Sequence, residues 1–209
     1  MSRVLYLHGF ASGPSSRKAQ FFRERFTQRG VPFETPDLAR DGFRQLTVTG
    51  QMKVIEEAAR GEPVNLIGSS LGGYLAALYA ARHPEVETVV LIAPAFDFAR
   101  RWRQRLGPEA FAAWRETGRL TVHHYGTGEA AEIGFGFIED ALRYHGEPEF
   151  DQPALLFHGL RDDLCPYEVS VAYAARHPNV RVQLFDTGHE MTDVVEEMWK
   201  PLPRFFSFL

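Results

Sequence analysis

Apolar and polar positions follow two rhythms along the chain. Short, mostly apolar runs at Val4 to Leu7, Val64 to Ile67, Thr88 to Ala93 and Ala154 to Phe157 read as strands, as does Val180 to Phe185. Between them, apolar residues recur at helical spacing: Ala19, Phe22 and Phe26, then Val48, Met52, Ile55 and Ala59. The stretches from Leu71 to Arg82 and from Val169 to Ala175 read as two further helices. Gly30 and Gly61 stop the first two helices, and His83-Pro84 breaks the third. Ser15 or Ser16 is expected to cap the first. Val31 to Thr35 is a weaker strand, and Pro32 cannot donate to a ladder, which places it at a sheet edge. The tail from Asp193 to Leu209 reads as helix interrupted at Pro201 and Pro203. Alternation of this kind predicts a three-layer α/β/α domain, its mostly parallel sheet covered on both faces.

The rhythm lapses between Ala95 and Asp151. Arg100 to Leu106 and Pro108 to Glu116 read as helices, Leu120 to Tyr125 as a strand or extended arm, and Ile138 to Tyr144 as helix. A stretch this long without a clear strand predicts an insertion, residues 95–151, acting as a lid or cap within a single domain of residues 1–209.

Composition narrows the function classes. The chain has 209 residues, 44% hydrophobic and 24% charged, the balance of a globular protein with a sizeable core. A net charge of −4 and no basic face argue against nucleic acid. One cysteine, Cys165, excludes an intrachain disulfide and fits a reducing compartment, and its expected role is core packing. The first strand begins by Val4, leaving no room for a signal peptide, so a cytoplasmic location is expected. The apolar runs are too short to span a membrane. No metal or cofactor is expected: His123 and His124 are adjacent and point apart, and Gly126-Thr127-Gly128 lacks the flanking strand and third glycine of a dinucleotide fingerprint.

The chemistry concentrates at Gly68-Ser69-Ser70-Leu71-Gly72. It follows a buried-type strand and opens a helix, so Ser70 sits at the apex of a sharp turn. Such a turn lifts the hydroxyl above the strand end and points the Leu71 amide at the same space. Glycines that merely let a helix pack closely would leave the later Asp and His signals unexplained. A serine hydroxyl needs a base. His189, in the loop after the Val180 strand, is the candidate: His83, His123, His124, His145 and His177 lie in helical, helix-end or insertion contexts, and His8 and His158 precede glycines at strand ends, where they brace loops.

Serine, aspartate and histidine in that order, each after a strand, resemble the α/β-hydrolase superfamily. Leu7-His8-Gly9-Phe10 is similar to its oxyanion loop, His158-Gly159-x-x-Asp162 to its acid loop and Gly188-His189 to its histidine loop. Within the superfamily, Tyr6 to Phe10 with the following Ser/Gly/Pro-rich loop resembles the small bacterial esterases. The Gly68 to Gly73 run and Gly136-Phe137-Ile138-Glu139-Asp140-Ala141 resemble a mitochondrial depalmitoylase.

The resemblance implies a minimal sheet of about six strands and a Ser70–Asp162–His189 triad. Asp97 and then Asp163 stand as alternative acids. Backbone N–H groups of Phe10 and Leu71 would form the oxyanion hole. Phe96, Phe98, Trp102, Trp114 and Phe137, with Phe111, Tyr125 and Phe135, would make an apolar acyl pocket or else the insertion's own core. The implied activity is hydrolysis of a small-molecule carboxylic ester or thioester. A serine peptidase and a catalytically inactive binding protein of the same fold are the alternatives.

Overall fold

The computed structural model describes residues 3–206. Six strands form one parallel sheet: β1 (Val4–Leu7), β2 (Phe33–Glu34), β3 (Val64–Ser69), β4 (Val86–Ile92), then β7 (Ala154–Gly159) and β8 (Val180–Phe185), in the order β2-β1-β3-β4-β7-β8. Between β4 and β7 lie β5 (Arg119–His124) and β6 (Glu129–Gly134), a separate antiparallel pair. The helices are α1 (Arg17–Thr27), α2 (Val48–Ala59), α3 (Leu71–Ala80), α4 (Phe98–Thr117), α5 (Gly136–Ala141), α6 (Tyr167–Arg176), α7 (Val195–Trp199) and α8 (Leu202–Phe205).

Strand residues alternate between two buried layers. Leu5, Leu7, Leu66, Val89, Leu91 and Leu156 face α2 and α3, while Val4, Tyr6, Ile67, Val90, Ile92 and Phe157 face α1, α7 and α8. Period-two side chains with both faces covered explain why these strands read as unbroken apolar runs. Helix α3 is buried along all ten residues, as its apolar character on every side requires.

The sheet order reverses direction at β1, with β2 on one side and β3 on the other. The loops leaving the carboxyl ends of β1 and β3 therefore diverge and open a crevice, the place where open α/β sheets take ligands. Strand β2 is at one edge, as Pro32 requires, and β8 is at the other; the Pro32 carbonyl still accepts from the Val4 amide at 2.9 Å.

One sequence expectation is corrected here, and others gain detail. Ser16 occupies the N-cap position of α1, but its side chain makes no cap bond. Of the strand or extended arm expected from Leu120 to Tyr125, the strand forms: β5 pairs with β6, whose own strand was unanticipated because Glu129-Ala130-Ala131-Glu132 has helix-forming composition. Gly126-Thr127-Gly128 forms the turn of that hairpin, with Gly128 at φ 74°. The two expected helices near residue 107 are the two arms of α4, kinked at Gly107 (φ 76°, ψ 165°) where Pro108 follows. The tail is broken at Pro201 into α7 and α8, and the end of the expected tail helix, residues 207–209, lies outside the described residues.

Candidate active site

Ser70 sits between β3 and α3 with φ 55° and ψ −117°, a strained conformation for a residue carrying a side chain. The turn is possible because a β-carbon at Gly68 would collide with the Gly72 carbonyl, and one at Gly72 with the Leu7 carbonyl. Strand and helix thus approach at backbone contact. The Ser70 amide donates to the Ile92 carbonyl at 2.8 Å, and its carbonyl accepts from Gly73, Tyr74 and Ala95 at 2.9, 3.1 and 3.0 Å. These bonds hold the strained residue in place.

From there a hydrogen-bond relay runs across three loops. Ser70 Oγ lies 2.9 Å from His189 Nε2, and His189 Nδ1 lies 2.7 Å from Asp162 Oδ2. The Asp162 side chain is wholly buried. Its Oδ1 accepts from the Leu164 and Cys165 amides at 2.9 and 2.8 Å. Its Oδ2 also receives His158 Nε2 at 3.0 Å, and the same nitrogen reaches the Cys165 carbonyl at 2.8 Å. Both partners of that nitrogen are acceptors, so it carries the proton, and the Ser170 hydroxyl, 2.7 Å from Nδ1, donates. Burial acts to raise the Asp162 carboxyl, but the hydrogen bonds from His158 and His189, the charge on His189 and the Cys165 amide outweigh it and hold the group well below the usual carboxylate range.

The alternative acids lie elsewhere. Asp97 precedes α4 in a left-handed conformation and pairs with Arg100 at 3.7 Å, while Asp163 is exposed. His8 is buried and neutral in its arrangement: Nε2 accepts from the Leu38 amide at 3.1 Å and Nδ1 faces the Gly9 carbonyl at 3.0 Å. It braces the β1 loop. The amides of Phe10 and Leu71 have no hydrogen-bond partner among the described residues.

A cavity of about 670 Å³ opens over Ser70 and His189. Phe10, Phe98, Trp102, Leu106, Phe137 and Leu164 form its apolar wall. Phe10 meets Trp102 edge-on at 4.9 Å and stacks on Phe137 at 5.6 Å. Phe96 and Trp114 do not line this cavity. Phe96 stacks on Tyr173 at 4.4 Å in the core, and Trp114 donates from Nε1 to the Ile133 carbonyl at 3.2 Å. With Phe111 and Phe135, Trp114 forms an aromatic core inside the segment from 95 to 151. Tyr125 is exposed at the cavity rim. Cys165 is buried against the acid loop, and burial with the Asp162 charge pushes its thiol up to about 12. Among the described residues no three metal-ligating side chains cluster. One contributor had not stood out in the sequence: the His158–Asp162 contact was signalled only by their four-residue spacing.

The model of UPF0227, an uncharacterised protein family, matches residues 3–206. Mitochondrial palmitoyl-protein thioesterase ABHD10 of Mus musculus is 30% identical over 207 residues, covering 91% of this chain and 69% of that protein. The solved α/β hydrolase domain-containing protein 10 from mouse superposes with a TM-score of 0.83 at 24% identity, covering 98% of this chain and 89% of the other. Est1E from Butyrivibrio proteoclasticus, solved with ferulic acid bound, gives a TM-score of 0.77 at 19% identity, covering 96% and 88%. These superpositions show the shared fold.

Proposed function

The chain belongs to UPF0227 and is an α/β hydrolase, and from that premise we propose that it hydrolyses carboxylic esters or thioesters of small to medium acyl groups through a Ser70 acyl-enzyme. The observation that carries this reading is the unbroken Ser70–His189–Asp162 relay at the floor of an apolar cavity. The thioesterase name of the mouse relative supports ester and thioester bonds over amides.

In the first half-reaction Ser70 Oγ attacks the acyl carbon as His189 Nε2 takes its proton. Asp162 holds the Nδ1–H and stabilises the imidazolium. The former carbonyl oxygen, now negative, is met by the Phe10 and Leu71 amides, which need break no existing bond to reach it. His189 then gives its proton to the departing alcohol or thiol, and the acyl–Ser70 ester remains. Water, deprotonated by the same imidazole, attacks that ester; the carboxylic acid leaves and Ser70 recovers its proton. Residues 95–151, through Phe98, Trp102 and Phe137, act as the lid that keeps the acyl chain out of water.

No helix among the described residues is long and apolar enough to cross a membrane. The single buried cysteine supports a reducing compartment, which we take to be the cytoplasm.

Fluorophosphonate labelling tests the nucleophile: the wild-type protein should label and Ser70→Ala should not. A chain-length series of nitrophenyl esters and acyl thioesters, set beside aminoacyl anilides, tests the bond. Faster cleavage of the anilides would replace the esterase reading with a peptidase.

A further inference from the structure

The cavity over Ser70 has a second, cationic end. Lys18 lines it, is only 8% exposed, and has one hydrogen-bond acceptor, the Glu190 carbonyl. An ammonium carries three donors, so two are unmet by the described residues. Among the described residues no carboxylate pairs with it at ion-pair distance. Burial pushes Lys18 below its ordinary value, against the more distant pull of Glu190 and Asp162. An anion in the cavity would relieve that penalty.

The helix carrying Lys18 is built the wrong way round for an empty site. The first turn of α1 holds two cations, Arg17 and Lys18, and no acid. A helix N-terminus favours negative charge and disfavours positive. The amides of Arg17, Lys18 and Ala19 have no partner among the described residues, and the Ser16 side chain does not cap them. Arg17 also lines the cavity, and its side chain has no ion-pair or hydrogen-bond partner among the described residues. Beside them the Tyr6 hydroxyl lies against Ser69 and Ser16, and burial keeps it a protonated donor. On the cavity's other charged positions, Arg101 and Arg105 outnumber the single carboxylate, Glu190. This concentration of positive charge occurs in a chain of net charge −4.

From this geometry we infer a subsite for a compact oxyanion, carboxylate or phosphate, borne by the alcohol or thiol part of the substrate and held by Lys18, Arg17 and the α1 N-terminus. The assignment to the leaving group rests on the proposed Ser70 chemistry. His189 must reach the leaving oxygen or sulfur to protonate it, and Lys18 is bonded to Glu190, the next residue. The acyl chain then occupies the wall of Phe98, Trp102 and Phe137.

Three esters of like size provide the test: monobutyrylglycerol (neutral), butyrylglycerol 3-phosphate and O-butyrylglycerate. The wild-type kcat/KM for at least one anionic ester should exceed that for the neutral one by about tenfold or more, mostly through KM. Preference for only one of the two identifies the anion as phosphate or carboxylate. In Lys18→Met this ratio should collapse toward one. Arg17→Gln, a change at an exposed residue, keeps the test decisive should Lys18→Met fail to fold, and in it the ratio should fall about threefold.

Equal wild-type rates on all three esters would overturn the subsite and leave the esterase reading standing. Equal loss on all three in Lys18→Met, with the ratio preserved, would show that Lys18 only braces the histidine loop and would overturn it too. Titration of Ser70→Ala with glycerol 3-phosphate and with glycerate separates the two proposals. Binding that Lys18→Met abolishes, alongside no hydrolysis of any ester by the wild type, would support the subsite and refute the Ser70 chemistry.

Discussion

Replacing Asp162 with asparagine changes one atom and should disable the relay while leaving the fold. The carboxylate accepts four hydrogen bonds, two at each oxygen. The Leu164 and Cys165 amides cannot become acceptors, so the asparagine oxygen must face them. Its NH₂ then points at His189 Nδ1 and His158 Nε2. His189 can accept that bond only by moving its own proton to Nε2, the nitrogen that faces Ser70 at 2.9 Å. The base is then already protonated toward the nucleophile. In a well-studied triad this wrong tautomer costs roughly ten-thousandfold in turnover, about 5 kcal/mol of barrier.

The structural cost is smaller. Charge-assisted bonds become neutral ones, but a neutral amide is cheaper to bury, leaving a net loss of about 1–3 kcal/mol. In a domain of this size that lowers Tm by roughly 3–10 °C. Because the folded carboxyl is held well below its unfolded value, its stabilisation is fully present above about pH 4 and is lost as pH falls through the folded value. The Tm gap between wild type and Asp162→Asn should therefore narrow in acid. Steady-state hydrolysis of a short nitrophenyl ester gives the turnover, and a pH series of melts gives the gap. More than a tenth of wild-type turnover in Asp162→Asn, with Asp97→Asn inactive, would refute the reasoning.

Three further outcomes are expected. Trp102→Ala removes part of the apolar wall and should shift the preferred acyl chain upward by about two carbons, each methylene contributing about 0.8 kcal/mol, as read from kcat/KM across an ester series. Gly72→Ala forces a β-carbon onto the Leu7 carbonyl and should abolish soluble, cooperatively melting protein rather than merely slow it. Cys165, buried with its thiol pushed up to about 12, should resist iodoacetamide in the native state at pH 8 and react once unfolded, by intact-mass spectrometry.

Legibility in the sequence tracked burial. Strands β1, β3, β4 and β7 were plain because strands covered on both faces are mostly apolar, β8 at the other edge kept apolar Val180, Val182, Leu184 and Phe185, and β2 was placed at the edge by a single proline. The serine turn was plain because strand, glycines and helix must coincide there. Strand β6 was not, since its alanines and glutamates favour helix and only pairing with β5 makes it a strand. Phe96 and Trp114 could not be told from Phe98 and Trp102 by composition; whether an aromatic faces a cavity or its own segment's core is a tertiary fact. Lys18 was hidden for the opposite reason. It adjoins the Ala19, Phe22, Phe26 stripe, and at a helix start a lysine beside an apolar stripe reads as a solvent-facing edge.

The place of the long excursion in the chain has a structural logic. The side chains of the relay come from the ends of β3, β7 and β8, and the neighbouring amide at Phe10 from the end of β1. Strand β4 lies in the middle of the sheet between β3 and β7, yet its own loop supplies none of these groups. It supports the site only through backbone: Ile92 accepts from Ser70, and Ala95 donates to it. A loop that contributes no side chain to the relay but leaves the sheet beside Ser70 can lengthen without displacing Ser70, His189 or Asp162. Residues 95–151 use that freedom, returning Phe98, Trp102 and Phe137 to the cavity while Gly126 at the hairpin tip donates to Ala11 at 3.2 Å in the β1 loop. Much of the cavity's apolar wall thus comes from a segment that can vary independently of the proposed chemistry. By contrast, Lys18 and Arg17 sit on α1, joined to β1 by the loop that carries Phe10. Under the proposed roles, changes there should act on leaving-group recognition and on the Phe10 amide together, so the two ends of the cavity should respond to mutation in different ways.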